Sequence, residues 1–429
     1  MGPKPPASPR RWFLYAVAGL FVILSLGIIL AGLMLMRQGM VLRKGVVFGN
    51  SMEPHFVGPR WVWRCSNCET EHRFAKDTVR LDQPTKCPVC QQMSMESPHA
   101  EDADRAGVDS LQIESGETIQ YARLRAMRTL RKAKEDPGID SQSGLKRGDV
   151  VVLQTGADST KEIKRLVGLP NEHLAIQEGE LYVNGNLYSK SLNDALRQAI
   201  LVQSVGKTEP QLQQTVWELS IDNQLACNAH DSYSIIVACD IGIALQIDPQ
   251  EPRWNTSVTM ETASRNNASV QIQLAIKKSD HSISLDIKDQ SRTLQLDQLE
   301  ALGNWIIVYH VDGFLLVGDE HHEWLRQAIQ PTEDTDRNRE TARIQVEFGD
   351  ASSPYERLLI FRDIEWRGVL DSNSQEWPTE PGIVVLGDNV SASSDSRDRW
   401  VERPGLDAVK GVVIEPRNPI ESLLHQQSN

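Results

Sequence analysis

The sequence predicts a mainly β chain held to a membrane by one N-terminal helix, and three observations carry that expectation. First, Phe13 to Met36 is a run of 24 residues without a charge. As a helix it would extend about 36 Å, slightly more than a hydrocarbon core of about 30 Å. Second, apolar and β-branched stretches recur either with period two or as short unbroken runs bounded by turn residues, as strands do. Third, the dipeptides Asn184-Gly185 and Asp312-Gly313 sit between such stretches, a strong hairpin signal. At 429 residues the chain suits two or three domains of roughly 150 residues each. Its net charge of −13 argues against a general nucleic-acid binder, which would carry a basic surface.

The apolar run is longer than a signal-peptide core and has no small-residue cleavage pattern after it, so residues 12–36 are expected to be an uncleaved anchor behind a short tail, residues 1–11. Lys4, Arg10 and Arg11 precede it, and Arg37, Arg43 and Lys44 follow. Counting basic residues therefore leaves the orientation undecided.

Beyond the anchor, Val46 to Phe48 forms a short apolar edge leading to Ser51. RGDVVVLQ, Arg147 to Gln154, reads as a turn entering a buried strand, and EIKRLVGL, Glu162 to Leu169, sets Lys164 among Ile163, Leu166 and Val167. IVVLGDNVSASSDSR, Ile383 to Arg397, is an apolar strand running into a polar loop. A serine hydroxyl attacks an amide only with an adjacent base. No Gly-x-Ser-x-Gly elbow supports a Ser-His-Asp arrangement, and His55, the nearest histidine to Ser51, is expected at the surface. A lysine in apolar surroundings can do the same work as a neutral amine, which makes Lys164 the candidate base.

SMEP (Ser51 to Pro54), RGDVVV (Arg147 to Val152), IKRLVGLP (Ile163 to Pro170) and GDNVSASSDSR (Gly387 to Arg397) resemble, in order and wording, the boxes of type I signal peptidases. These are membrane-anchored Ser/Lys endopeptidases, and RWVERPGLDAVKGVV, Arg399 to Val413, resembles the stretch that closes their catalytic domain. The resemblance implies a signal-peptidase-type β catalytic core, discontinuous over residues 37–60, 145–189 and 381–416. It implies Ser51 as nucleophile, Lys164 as general base and Ser393 as the hydroxyl that holds the lysine. Arg165 with Asp388, and Asp395 with Arg397, would form bracing ion pairs. The Ser51 N–H would stabilise the oxyanion. Some relatives add a hydroxyl two residues earlier, where this chain has Gly49. Other departures are His55 for a threonine, Val390 for an arginine and Asn171-Glu172 for Gly-Asp.

Substrates implied by the resemblance are exported preproteins cleaved at small-x-small sites. The signal peptide would add as a strand along Gly45 to Gly49 and Lys161 to Ile163, with Phe48 and Ile163 lining shallow pockets. The 14 residues between Met36 and Ser51 span at most about 50 Å, so cleavage would occur close to the membrane. The implied location is the cell membrane, with a cytoplasmic N-terminus, an exoplasmic catalytic domain and contact with membrane lipids. Catalysis needs no cofactor on this reading.

Two insertions depart from that core. Residues 61–95 carry Cys65-x-x-Cys68 and Cys87-x-x-Cys90, a spacing suited to a structural tetrahedral zinc ion, with disulfides as the alternative. Residues 96–144 read as a polar linker followed by a basic helix over Glu117 to Asp136. Cys227 and Cys239 could pair as a disulfide. Residues 190–380 alternate as strands at Val270 to Lys277, Ser282 to Lys288, Trp305 to Asp319, Arg343 to Phe348 and Leu358 to Trp366. They suggest a β-sandwich that loosely resembles lectin-type sandwiches, with Trp254, Trp324 or Trp366 either in the core or presented to a glycan or other envelope ligand. Residues 417–429 are expected to be a polar tail. A second function class follows: a catalytically lapsed relative that binds envelope ligands through its insertions.

Overall fold

The computed structural model describes residues 19–30, 42–64, 67, 71–76, 111–124, 126–127, 143–155, 161–206, 216–221, 239–247, 253–262, 268–279, 282–287, 290–295, 303–329, 332–333, 342–349, 355–369, 372–390, 393–397, 403–416 and 418–428. Strands dominate, as the sequence predicts. Within the expected anchor, residues 19–30 are helical and exposed. Among the described residues no helix is long and apolar enough to cross a membrane. Cys65, Cys68, Cys87, Cys90 and Cys227 lie outside the described residues.

A six-stranded antiparallel sheet carries the core. Its order is Leu42–Val46, Thr118–Ala122, Val409–Val413, Val150–Leu153, Glu162–Gly168 and Val384–Leu386. Val150–Leu153 is buried along its whole length, which is why it reads as an unbroken apolar run rather than an alternation. Thr118–Ala122 corrects the expected helix at its start. Ile119 and Tyr121 are buried while Thr118 and Gln120 are exposed, a period of two that the basic residues downstream obscured. A four-stranded sheet follows, ordered Asn186–Leu187, Glu180–Val183, Leu174–Gln177 and Ser374–Trp377. The last strand therefore returns to this layer before residue 380, and Ile364, Trp366 and Trp377 share its apolar cluster with Val167 and Leu174.

Two further six-stranded sheets stack on one shared core. One runs Ile200–Gly206, Tyr355–Arg362, Ile241–Ile247, Trp305–Val311, Phe314–Gly318, Glu323–Ala328. The other runs Val216–Ile221, Ala342–Phe348, Trp254–Glu261, Gln271–Ser279, Ser282–Ile287, Gln290–Gln295. Ile243, Leu245 and Ile306 of the first meet Val258, Leu274 and Ile344 of the second, all fully buried. Trp254, Trp324 and Trp366 are buried as well, so none is presented at the surface to a glycan. Residues expected to form a polar tail instead form the helix Pro419–Ser428, whose Ile420 and Leu423 bury against the helix Leu192–Gln198. A three-stranded sheet, Glu71–Ala75, Arg60–Arg64 and Leu111–Glu114, spans the first insertion and takes one strand from the expected linker.

Candidate active site

The Ser51 loop is fastened from below and from the side. Met52 and Phe56 bury into the cluster of Val150, Val152 and Ile119, and fully burying one such side chain stabilises by about 1.5–3 kcal/mol. Above it, the loop of residues 387–390 laces to the serine: Asn389 N–H donates to Ser51 O at 3.1 Å, and Asn389 Nδ2 to Asn50 O at 3.1 Å. Gly49 has φ +86°, a conformation open to glycine, which accounts for glycine where some relatives carry a hydroxyl. Gly387 is the tightest point. A Cβ there would stand 2.1 Å from Ser393 Oγ and 2.4 Å from Ser51 O, so only a bare backbone lets the two serine segments close on each other.

Lys164 enters from the Glu162–Gly168 strand, paired with Val151, and is buried. Its Nζ donates to Ser393 Oγ at 2.9 Å. The neighbouring Arg165 is fully buried and forks onto Asp388, Nε to Oδ1 at 2.7 Å and Nη2 to Oδ2 at 2.6 Å, while Nη1 donates to Gly148 O. Arg397 forks likewise onto Asp395 at 2.8 and 2.7 Å, and Asp395 also accepts the Gly387 N–H at 2.8 Å. Burial would raise the Asp395 carboxyl, yet Arg397, Gly387 and the Ser393 hydroxyl together hold it below its ordinary value. Ser393 thus accepts from Lys164 and faces Asp395, so its orientation is set from both sides.

His55 corrects the sequence expectation. It is buried, not at the surface: Nε2 donates to Ala199 O at 3.0 Å, and Nδ1 lies 2.9 Å from Asp388 Oδ2. A carbonyl can only accept, so this ring ties the Asp388 ion pair to the residue preceding the Ile200–Gly206 strand of the large insertion. A sequence signal existed in the replacement of threonine by a side chain long enough to reach across. Glu172 is a second departure with a visible partner, its carboxylate accepting from Arg147 at 2.6 Å and from the Leu169 N–H at 2.7 Å.

Burial by itself would raise Asp388, but Arg165 first and His55 next outweigh it and hold the carboxyl at about 2, below the ordinary 3.8. Its stabilising contribution is complete above pH 4 and disappears as pH falls toward 2. We expect a loss of ~2 kcal/mol of unfolding free energy across that window, readable by denaturant melts at successive pH values, with a smaller loss in His55→Gln.

Among the described residues, the expected substrate strands lie at the edges of their ladders. Glu162–Gly168 pairs with Val150–Leu153 along one side, but the strand on its other side, Val384–Leu386, reaches only Arg165, Leu166 and Gly168. Among the described residues no strand pairs with that side of residues 162–164. Leu42–Val46 is likewise the outer strand of its sheet. Ile163 is partly buried, and Phe48 is 81% exposed. A cavity of about 610 Å³ beside His55, bounded by Glu117, Arg197 and His425, contains neither Ser51 nor Lys164.

The antiparallel β core thus brings the Ser51 loop, the buried Lys164 and Ser393 together, Lys164 through its Nζ and Ser51 through the close approach at Gly387. The family model described as "Signal peptidase, peptidase S26" matches residues 20–225. Signal peptidase I P of Bacillus subtilis subsp. natto is 42% identical over 42 residues, 10% of this chain and 23% of that protein. The chain is thus similar to signal peptidases over residues 20–225, and it spans less than a quarter of the length of the curated relative it matches. Among solved structures, fructofuranosidase from Schwanniomyces occidentalis complexed with fructose aligns at 10% identity over 50% of this chain and 39% of its own, with a TM-score of 0.22. The PL7 alginate lyase of Zobellia galactanivorans aligns at 8% over 55% and 96%, with a TM-score of 0.16. Likenesses this slight carry no argument.

Proposed function

We propose that this chain is a membrane-anchored serine endopeptidase that removes signal peptides from exported preproteins, with Ser51 as nucleophile and Lys164 as general base. The observation that carries the reading is the Lys164 Nζ–Ser393 Oγ contact at 2.9 Å beside Gly387, against which the Ser51 carbonyl closes. Lysine is a base only as the neutral amine, a form that apolar surroundings favour. Lys164 takes the Ser51 proton as Oγ attacks the scissile carbonyl, and the Ser51 N–H faces the developing oxyanion. The lysine then protonates the leaving amine, and a water deprotonated by Lys164 hydrolyses the ester. Ser393 fixes the lysine amine, and the two arginine–aspartate pairs fix the strand that carries Lys164 and the loop that carries Ser393.

The open edge at residues 162–164 supports strand addition by the segment preceding the scissile bond, with Phe48 and Ile163 contacting its small side chains. The charge-free run of residues 13–36 is the anchor on this reading, placing the site near the lipid surface on the exoplasmic side. Cys65, Cys68, Cys87 and Cys90 hold a structural zinc ion, whose chemistry stays outside the reaction. The test is a membrane-embedded preprotein with an Ala-x-Ala site, incubated with the full chain in liposomes. Cleavage after the second alanine is expected. A folded chain that leaves this substrate intact while another signal peptidase cuts it sinks the proposal and favours a lapsed, ligand-binding relative.

A further inference from the structure

The large insertion opens with the helix Leu192–Gln198, and Ala199, which ends that helix, is fully buried. Polar contacts fasten this helix to the core and to the C-terminal helix Pro419–Ser428. Lys146 Nζ meets Asp194 Oδ1 at 3.0 Å, and Arg197 Nη1 donates to Pro416 O at 2.8 Å. Gln426 clasps the helix exit from the other side, its Oε1 accepting the Leu201 N–H at 2.8 Å and its Nε2 donating to Ala199 O at 3.0 Å. Leu192 and Leu196 pack in one apolar cluster with Ile420 and Leu423. The Ala199 carbonyl is therefore a fixed point, not a loop oxygen free to turn.

The second donor to that carbonyl is His55 Nε2, at 3.0 Å. From His55 the path to the catalytic groups is short. Its backbone belongs to the turn that carries Ser51, where the Glu53 N–H donates to Asn50 O at 3.1 Å and the Phe56 N–H to Met52 O at 3.0 Å. Its Nδ1 lies 2.9 Å from Asp388 Oδ2, the oxygen that also receives Arg165 Nη2 at 2.6 Å. Asp388 stands between Gly387, against which the Ser51 carbonyl closes, and Asn389, whose N–H donates to Ser51 O. One ring thus joins the insertion, the Ser51 turn and the loop of residues 387–390. It also borders the cavity of about 610 Å³ between Thr118–Ala122 and the C-terminal helix. With open space on that flank, its two polar contacts rather than close packing hold its orientation.

We propose that His55 is a positioning residue for the Ser51/Lys164 reaction, through which the insertion's Ala199 carbonyl sets the Ser51 turn against Asp388. The inference rests on the peptidase reading above. His55 reaches Asp388 and Ala199, not the strand edge at residues 162–164, so it acts on turnover and not on substrate affinity. Loss of either anchor lets the ring tilt and the Ser51 turn shift, and a displacement of about 1 Å between reacting groups costs up to about 10²-fold in rate. The two contacts separate by side-chain length. Asparagine carries its amide nitrogen as far from Cβ as the Nδ1 of histidine, and glutamine carries its own as far as Nε2. His55→Asn therefore keeps the Asp388 contact and releases the insertion, while His55→Gln does the reverse.

The experiment uses the full chain in liposomes with the membrane-embedded Ala-x-Ala preprotein, comparing the parent with both variants. In each, kcat is expected to fall about tenfold or more, with KM within about twofold of the parent. Hydrogen exchange at the Asn389 N–H, which is bonded to Ser51 O, is expected to quicken about tenfold in His55→Asn. Parental kcat in a folded His55→Asn overturns the proposal, because the insertion contact is then dispensable. A raised KM with unchanged kcat overturns it as well. If the parent itself cleaves nothing, the peptidase reading fails and the exchange decides: faster exchange in His55→Asn still gives His55 control of the Ser51 turn, and parental exchange overturns that control. Should neither His55 variant fold, Gln426→Ala loosens the Ala199 carbonyl from the C-terminal helix and is expected to lower kcat about threefold at constant KM. Unchanged kcat in that variant overturns the proposal.

Discussion

Ser51→Ala and Lys164→Met each reduce preprotein cleavage by about 10⁴-fold or more, while the melting temperature stays close to that of the parent chain. The expectation follows from the placement of the two side chains. Ser51 is half-exposed at the lip of its loop, so losing one hydroxyl removes no core contact. Lys164 is buried and donates to the Ser393 hydroxyl at 2.9 Å, a contact whose loss leaves a neutral hydroxyl rather than a buried anion. Members of one catalytic unit are non-additive, so the double variant should be no worse than the worse single one. Ser393→Ala separates positioning from chemistry. The base remains but loses its 2.9 Å anchor, so kcat should fall by about 10²-fold with KM little changed. Equal residual activity in Lys164→Met and the parent would remove the lysine from the mechanism.

Local features were legible where the signal was local. Asn184-Gly185 and Asp312-Gly313 both turn with positive φ at each residue, 51° and 80° in the first and 51° and 75° in the second, which the hairpin geometry requires. The alternation at Val270 to Lys277 and Ser282 to Lys288 matches strands Gln271–Ser279 and Ser282–Ile287 to within two residues at each end. Failures came where tertiary context overrode local pattern. Basic residues after Arg123 made Glu117 to Asp136 look helical, while the sheet claimed Thr118–Ala122 by pairing it with Leu42–Val46 and Val409–Val413. Among the described residues of the helix Pro419–Ser428, Ile420 and Leu423 are the fully buried ones, too thin a stripe to stand out in a polar sequence. Lys164 and Ser393 are 229 positions apart, and no periodicity could join them. Only the ordered resemblance of the boxes pointed to that pair. His55 had no such guide, because its carbonyl partner lies 144 positions away on the insertion.

Asp388→Ala is expected to lower unfolding free energy by about 3–5 kcal/mol and to abolish cleavage through structure rather than chemistry. Among the described residues Asp388 is the carboxylate that forks onto Arg165, whose guanidinium is fully buried, and Glu415 stands 3.9 Å away. Removing it strands a cation that cannot discharge, and it takes the partner of His55 Nδ1 as well. Arg165 follows Lys164 directly, and Asp388 follows Gly387 directly, so relaxation of the pair moves both walls of the serine site. A second variant separates lost charge balance from lost shape. Arg165→Met combined with Asp388→Leu removes both charges and keeps most of the volume, so it should recover a large part of the stability lost in Asp388→Ala. Chemical denaturation of the three proteins reads the difference directly. If the double variant is as unstable as the single one, the pair contributes through its fixed hydrogen-bond geometry, including the Arg165 donation to Gly148 O, rather than through compensation of a buried charge.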